Sequence, residues 1–323
     1  MNPDYRNKEL RITEQRNPRS SDIDLASPLE IVDLINSEDR LVADAVALVR
    51  DEIAAVMGQI EQAFRTGHRL LYVGAGTSGR LGVLDASECP PTFGTDPAMV
   101  QGIIAGGDLA LRTSVEGAED DPQAGASAMD SHEVRTGDVV VGIASSGTTP
   151  FVRGALERAR ELGAVTALIA CTEPEPAMRA VADTCILPIV GSEVLTGSTR
   201  LKAGTATKMV CNMLSTGAMI RIGKSHGNLM VDLRASNAKL QDRSERIVME
   251  LTGLERRDAK NLLKQAGGHV KRALVMHALD VDAETADAEI VLAGGVIRRI
   301  PGITVRESKK FEKTETAALR SKP

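Results

Sequence analysis

Apolar positions along the chain change period three times, and each change marks a different kind of structure. Residues 1–26 are polar and broken by Asn17-Pro18 and Ser20-Ser21, which reads as an extended arm. Ser27, Pro28 and Glu30 form a capping box ahead of a short apolar face, and Ser37-Glu38-Asp39 is expected to open a second, longer helix running to Thr66-Gly67. From residue 70 the apolar residues bunch into short continuous runs at 70–73, 99–105, 139–144, 165–170 and 185–190, separated by helical patterns such as 151–162. Continuous runs are what strands need when both faces of a sheet are covered, and their alternation with helices predicts an α/β fold with a doubly wound parallel sheet. From Gly197 onward the pattern is helical: a small-residue-rich helix over 198–222, then helices near 241–251, 255–265, 269–278 and 283–293, and a basic tail. The expected regions are an N-terminal arm with helices (1–66), the α/β domain (67–234) and a C-terminal helical domain with its tail (235–323).

The chemistry collects where two of those strands end. The run at 70–73 breaks into Gly74-Ala75-Gly76-Thr77-Ser78-Gly79 and a helix follows; the run at 139–144 breaks into Ser145-Ser146-Gly147-Thr148-Thr149 and a second helix follows. The first backbone N–H groups of a helix lack intrahelical partners and carry the positive end of its dipole, so each turn is a seat for an anion. Gly74, Gly76 and Gly79 also satisfy the GxGxxG spacing of a dinucleotide site. A dinucleotide fold needs only one such turn, whereas two hydroxyl-rich turns converge on one phosphate, so a sugar phosphate fits better. In a purely structural reading the same residues only cap helices.

Composition narrows the partners. The 323-residue chain carries a net charge of −5 and 2% aromatic residues, which leaves neither a basic footprint nor stacking platforms for nucleic acid. Its apolar runs fall short of the ~18 residues of a membrane span, and MNPDYRNKEL lacks the form of a secretory signal; the expected location is the cytoplasm. Cys89, Cys171, Cys185 and Cys211 form no CxxC pair and the five histidines no HxxxH pair, so no metal site is expected. Cys89 reads as packing, and His226 as structural or at a subunit contact.

The two turns resemble the phosphate turns of sugar isomerase (SIS) domains. Closer still, five segments resemble the N-acetylmuramic acid 6-phosphate etherase family: TEQRN at 13–17, DASECPPTF at 85–93, AGG at 105–107, EGAEDD at 116–121 and GSEVLTGSTRLK at 191–202. Two positions depart from the patterns. Ala144 replaces the serine that usually starts the second SIS turn, removing one phosphate hydroxyl and shifting weight to Ser145, Ser146 and Thr149, and Ser192 stands where proline or alanine is expected.

The resemblance implies elimination of the D-lactyl ether of N-acetylmuramic acid 6-phosphate followed by hydration, a carbon–oxygen lyase reaction that yields N-acetylglucosamine 6-phosphate and D-lactate. It implies Glu88 as the acid toward lactate and Glu119 as the base at C2, two carboxyls able to serve if their environments separate their pKa values. Gly76, Thr77, Ser78, Ser145, Ser146, Gly147 and Thr149 would cradle the phosphate, with Glu193 as a sugar contact. Arg80 and Lys202 are candidates to neutralise phosphate or lactate carboxylate, or are solvated or capping charges. No metal or organic cofactor is implied, and the expected assembly is a homodimer with the 198–222 helix at its interface. A phosphosugar isomerase and a non-catalytic phosphosugar-binding regulator remain alternatives built on the same turns.

Overall fold

The computed structural model describes residues 11–232 and 238–303. They fall into two compact units. One holds the chain up to Pro90 together with Thr95–Arg221; the other holds Pro91–Gly94 and the chain from Ile222 onward. The helices before residue 67 lie in the first unit, and the chain passes into the second at 221/222.

Helix α1 (Pro28–Ala47) opens with the expected capping box: Ser27 accepts from the Glu30 N–H and the Glu30 carboxylate from the Ser27 N–H. It then runs straight through the second start expected at Ser37. The Ser37 hydroxyl turns back onto the Leu34 carbonyl at 2.7 Å, and Glu38 is buried against partners elsewhere, so neither acts as a cap. The break comes instead at Leu48-Val49, before α2 (Arg50–Arg65).

The first unit is built on five parallel strands, β1 (Leu70–Gly74), β2 (Val100–Ile104), β3 (Val139–Ile143), β4 (Val165–Ile169) and β5 (Thr184–Ile186), in the order β2-β1-β3-β4-β5. Every residue of β1 and β3 is buried, as their unbroken apolar runs require. The pleat sends alternate side chains to opposite layers. Leu71, Val73 and Val140 pack with Met129, Phe151 and Leu156 of α4 (Pro122–Ser131) and α5 (Pro150–Glu161). Tyr72 points the other way and donates its hydroxyl to the Cys211 carbonyl at 3.1 Å, on α7 (Lys202–Arg221). Each such side chain, fully buried, contributes about 1.5–3 kcal/mol. Helix α3 (Gly76–Phe93) follows β1, and a short α6 (Pro176–Ala180) lies between β4 and β5.

Helix α7 starts four residues later than expected. Both oxygens of Glu193 accept its opening N–H groups, from Lys202 at 3.0 Å and Ala203 at 2.9 Å, so its cap lies nine residues upstream, beyond any local capping signal.

The second unit holds a two-stranded antiparallel hairpin, β6 (Ser225–His226) and β7 (Leu229–Met230), and helices α8 (Ala238–Thr252), α9 (Arg256–Gln265), α10 (Val270–Leu279) and α11 (Ala283–Leu292) around a core that includes Val231, Val248, Leu274 and Ala286. The four helices match the expected ones to within about three residues; the hairpin strands, two residues each, are too short to show a period. The tail beyond residue 303 lies outside the described residues.

Candidate functional site

In the order β2-β1-β3-β4-β5 the connections leave in opposite directions from β1 and β3, and a crevice opens outside the carboxyl ends of those two strands. Both hydroxyl turns lie there. Leaving β1, the chain enters α3 at once; Gly76 has φ +51°, and a Cβ at Gly79 would stand 2.6 Å from Ile104 Cγ1 and 2.7 Å from the Gly74 carbonyl. Leaving β3, the Gly147 N–H donates to the Ala144 carbonyl at 2.8 Å, its φ is +69°, and a Cβ there would meet Pro174 Cα at 2.7 Å. Only glycine lets the backbone turn this tightly before α5. The two turns meet through their side chains: Ser78 Oγ lies 3.4 Å from Ser145 Oγ, and Ser146 Oγ lies 3.1 Å from Thr148 Oγ1. Thr77 sits half-buried at the head of α3, its methyl toward Gly204 of α7. Two helix N-termini and a cluster of hydroxyls therefore face one crevice, which suits a phosphate.

A cavity of about 550 Å³ continues from the second turn, lined by Ser146, Thr148, Thr149, Glu119, Asp120 and Arg11 among others. A smaller hollow of about 170 Å³ adjoins the first turn and includes Gly76, Arg80, Glu116 and Glu119 in its wall. Glu119 is common to both. It is carried on a 3-10 turn (Ala118–Asp120) entered through Gly117, whose φ is +75°, and its side chain is exposed to the cavities. An exposed carboxylate beside the two hydroxyl turns can exchange a proton with a ligand held there.

The other predicted carboxylate is elsewhere. Glu88 is exposed on α3, ten residues beyond Ser78, which is about 15 Å along the helix axis, and it lines neither hollow. Its neighbours point inward: Asp85 accepts from Asn212 Nδ2 at 2.6 Å, and burial, reinforced by the Asp85 charge, pushes the Cys89 thiol up to about 12, leaving it a neutral packing group.

Lys202 and Glu193 also face away from the cavities. Lys202 Nζ lies 2.6 Å from Glu38 Oε2, with side-chain exposures of 1% and 0%. Glu193 is buried on the start of α7, and burial raises its carboxyl above the usual range against the two N–H groups it accepts. Its task is to hold the helix. Arg80, by contrast, stays on the wall of the smaller hollow, with Nε donating to the Leu111 carbonyl at 3.2 Å.

The N-terminal arm supplies what sequence reasoning missed. Its described part is packed in three 3-10 turns, with Thr13, Asn17 and Ser20 buried. Gly197 N–H donates to the Thr13 carbonyl, Asn17 Nδ2 to the Ser192 carbonyl and Ser20 Oγ to the Val194 carbonyl, stitching the arm to the 191–199 segment. Asn17 Nδ2 also reaches Glu38 at 2.9 Å, and Arg19 pairs with Glu38 Oε1 at 2.7 Å. Arg11 and Glu14 are thereby placed in the cavity wall, with Arg11 Nη1 donating to Thr148 Oγ1 at 2.7 Å. The segment at 13–17 carried a family resemblance, but the low apolar content of the arm gave no sign that it is packed.

Comparison with known proteins bears on the same region. Residues 51–160 match the family profile of the glucokinase regulatory protein N-terminal SIS domain. The chain is 54% identical to N-acetylmuramic acid 6-phosphate etherase 2 of Vibrio parahaemolyticus over 89% of its own length and 95% of that protein's. It is 53% identical to the N-acetylmuramic acid 6-phosphate etherase of Mesorhizobium japonicum (90% and 94% covered) and 52% identical to that of Mycolicibacterium smegmatis (90% and 97%). Half of all residues agree across nearly the full length of each relative, helical C-terminal unit included, and so the chain belongs to the N-acetylmuramic acid 6-phosphate etherase family.

Proposed function

We propose that the protein cleaves the D-lactyl ether of N-acetylmuramic acid 6-phosphate, a carbon–oxygen lyase reaction giving N-acetylglucosamine 6-phosphate and D-lactate. The observation that carries this reading is the meeting of the two hydroxyl turns at the switch point with Glu119 in the adjoining wall. Ser78, Ser145, Ser146 and Thr149, with the N-termini of α3 and α5, hold the phosphate. The sugar then reaches along the crevice as its open-chain aldehyde. Glu119 takes the proton from C2, which the C1 aldehyde acidifies, so the chemistry requires no metal or organic cofactor. The C3–O bond breaks, the leaving oxygen takes a proton and departs as D-lactate, and water adds back at C3 of the resulting unsaturated aldehyde.

The proton for lactate is assigned to Glu88. Its separation from Ser78 along α3 exceeds the reach of a hexose from its phosphate to C3, which supports delivery of Glu88 by a second copy of the chain. Exposed Leu84 on α3 and exposed Met213 and Ile220 on α7 support such a homodimer. The cytoplasm, where sugar phosphates are made and retained, is the compartment proposed for the reaction.

Incubation with N-acetylmuramic acid 6-phosphate in heavy water tests the reading. Lactate release with deuterium at C2 is expected; C2 exchange without lactate would indicate an isomerase, and binding without exchange a regulator. Glu119→Gln should stop exchange and release together, whereas Glu88→Ala should stop release and spare exchange. Normal exchange in Glu119→Gln would overturn its role as base.

A further inference from the structure

We propose that Arg11 is a substrate-binding residue that grips the phosphate of the bound sugar, adding a guanidinium to the two hydroxyl turns; this rests on the reading of the cavity as a phosphosugar site. Arg11 Nη1 donates to Thr148 Oγ1 at 2.7 Å, and that oxygen is 3.1 Å from Ser146 Oγ. The guanidinium is therefore bonded to the second turn itself and lies one hydroxyl away from Ser146. The bond to Thr148 uses one of its five N–H donors, and the planar fork is the side chain best matched to a phosphate.

The charges of the cavity favour such a group. Its wall carries the carboxylates Glu14, Glu119 and Asp120, and among the described residues lining it Arg11 is the one cation. Three carboxylates repel an approaching phosphate dianion, and a positive charge beside the second turn offsets that repulsion. The second turn also starts from Ala144, which is buried and brings no hydroxyl. Arg11 supplies both the charge and the donor.

Arg11 is held in place by contacts that do not involve its own side chain. Thr13 is buried with its carbonyl on the Gly197 N–H, and Asn17 is clamped between Ser192 and Glu38. These contacts set the backbone of the arm, the bond to Thr148 sets the guanidinium, and replacing Arg11 removes that bond while leaving the ties through Thr13 and Asn17 in place.

The test measures binding of N-acetylglucosamine 6-phosphate, which has the phosphate and lacks the lactyl group, by calorimetry, together with lactate release from N-acetylmuramic acid 6-phosphate. Arg11→Met should weaken N-acetylglucosamine 6-phosphate about 10- to 100-fold and raise KM by a similar factor, with kcat changed less than about threefold. Arg11→Lys should recover part of the affinity, and a thermal melt of each variant should match the wild type. Unchanged affinity for N-acetylglucosamine 6-phosphate in a folded Arg11→Met protein overturns the proposal; if KM for the lactyl substrate alone rises, the guanidinium serves the lactate carboxylate instead. Wild-type protein that releases no lactate refutes the etherase reading separately. In that case titration of wild-type and Arg11→Met protein with inorganic phosphate decides the role of Arg11, and equal or undetectable binding by both overturns it.

Discussion

Replacing Lys202 by methionine separates a structural role from a ligand-binding one. Lys202 Nζ and Glu38 Oε2 are 2.6 Å apart with almost no exposure. Burial pushes the Glu38 carboxyl up, but the hydrogen bond and charge of Lys202, followed by the charge of Arg19 and the hydrogen bond from Asn17, outweigh it and hold the group below the usual carboxylate range. Without Lys202, Glu38 keeps Asn17 and an Arg19 side chain that is itself 59% exposed and screened by water. Breaking a buried pair from one side costs about 3–5 kcal/mol, mostly from the stranded charge. Because Arg19 remains, the lower figure of about 3 kcal/mol is expected, which is a fall of about 6–12 °C in Tm for a unit of this size. Lys202→Met/Glu38→Gln removes both charges and should return to within about 1 kcal/mol of the wild type. The pair's pH dependence has a definite sign. A carboxyl whose folded pKa is depressed stabilises above its unfolded pKa of about 4.3, and that contribution is lost as pH falls through the folded value. The lead of the wild type over Lys202→Met/Glu38→Gln should therefore shrink below about pH 4. Urea denaturation followed by circular dichroism supplies the stabilities, and lactate release supplies KM. A cost below about 1 kcal/mol for Lys202→Met, or no recovery in the paired variant, would refute the reasoning. A KM that stays high once stability is restored would put Nζ on the substrate.

Three other outcomes follow from the same geometry. Gly147→Ala puts a Cβ 2.7 Å from Pro174 Cα at φ +69° and should cost about 1–3 kcal/mol in urea while raising KM for the phosphosugar; a neutral effect on both would show that the turn relaxes freely. Asn17→Ala removes donors to Glu38 and to the Ser192 carbonyl, at about 1–3 kcal/mol, and should speed hydrogen exchange at the Gly197 amide; unchanged exchange there would mean that the arm docks without Asn17. Burial, with help from the Arg298 charge, lowers the His226 pKa below 6.5, so its stabilising contribution is present above that pH and lost as pH falls through the folded value. His226→Gln should flatten the acid side of the second unit's stability curve, and an unaltered slope would exclude His226 as its source.

The parallel sheet and both hydroxyl turns were legible because they rest on local rules. Unbroken runs such as Val139-Val140-Val141 mark strands covered on both faces, and a glycine with hydroxyls at a strand end marks a helix N-terminus open to an anion. Family resemblance added Glu119, whose acidic turn has no apolar period to read. Other features depend on partners far along the chain. Nothing near Lys202 in sequence signals that Glu38 lies against it, and nothing near Glu193 signals that it caps a helix nine residues on. A cation in a phosphosugar-like chain reads as a ligand contact until tertiary structure supplies an internal carboxylate. The arm at 11–20 was hidden for the same reason: its ties to Ser192, Val194 and Gly197 run mainly through polar groups and backbone carbonyls, which leave no hydrophobic pattern. Sequence alone was enough for most of the elements and for the two hydroxyl turns, because backbone geometry and burial period are written within a few residues of where they act. Which charges face the cavity and which are buried came from the folded chain, because charge pairing is settled by distance in space, across separations in the sequence that no local pattern records.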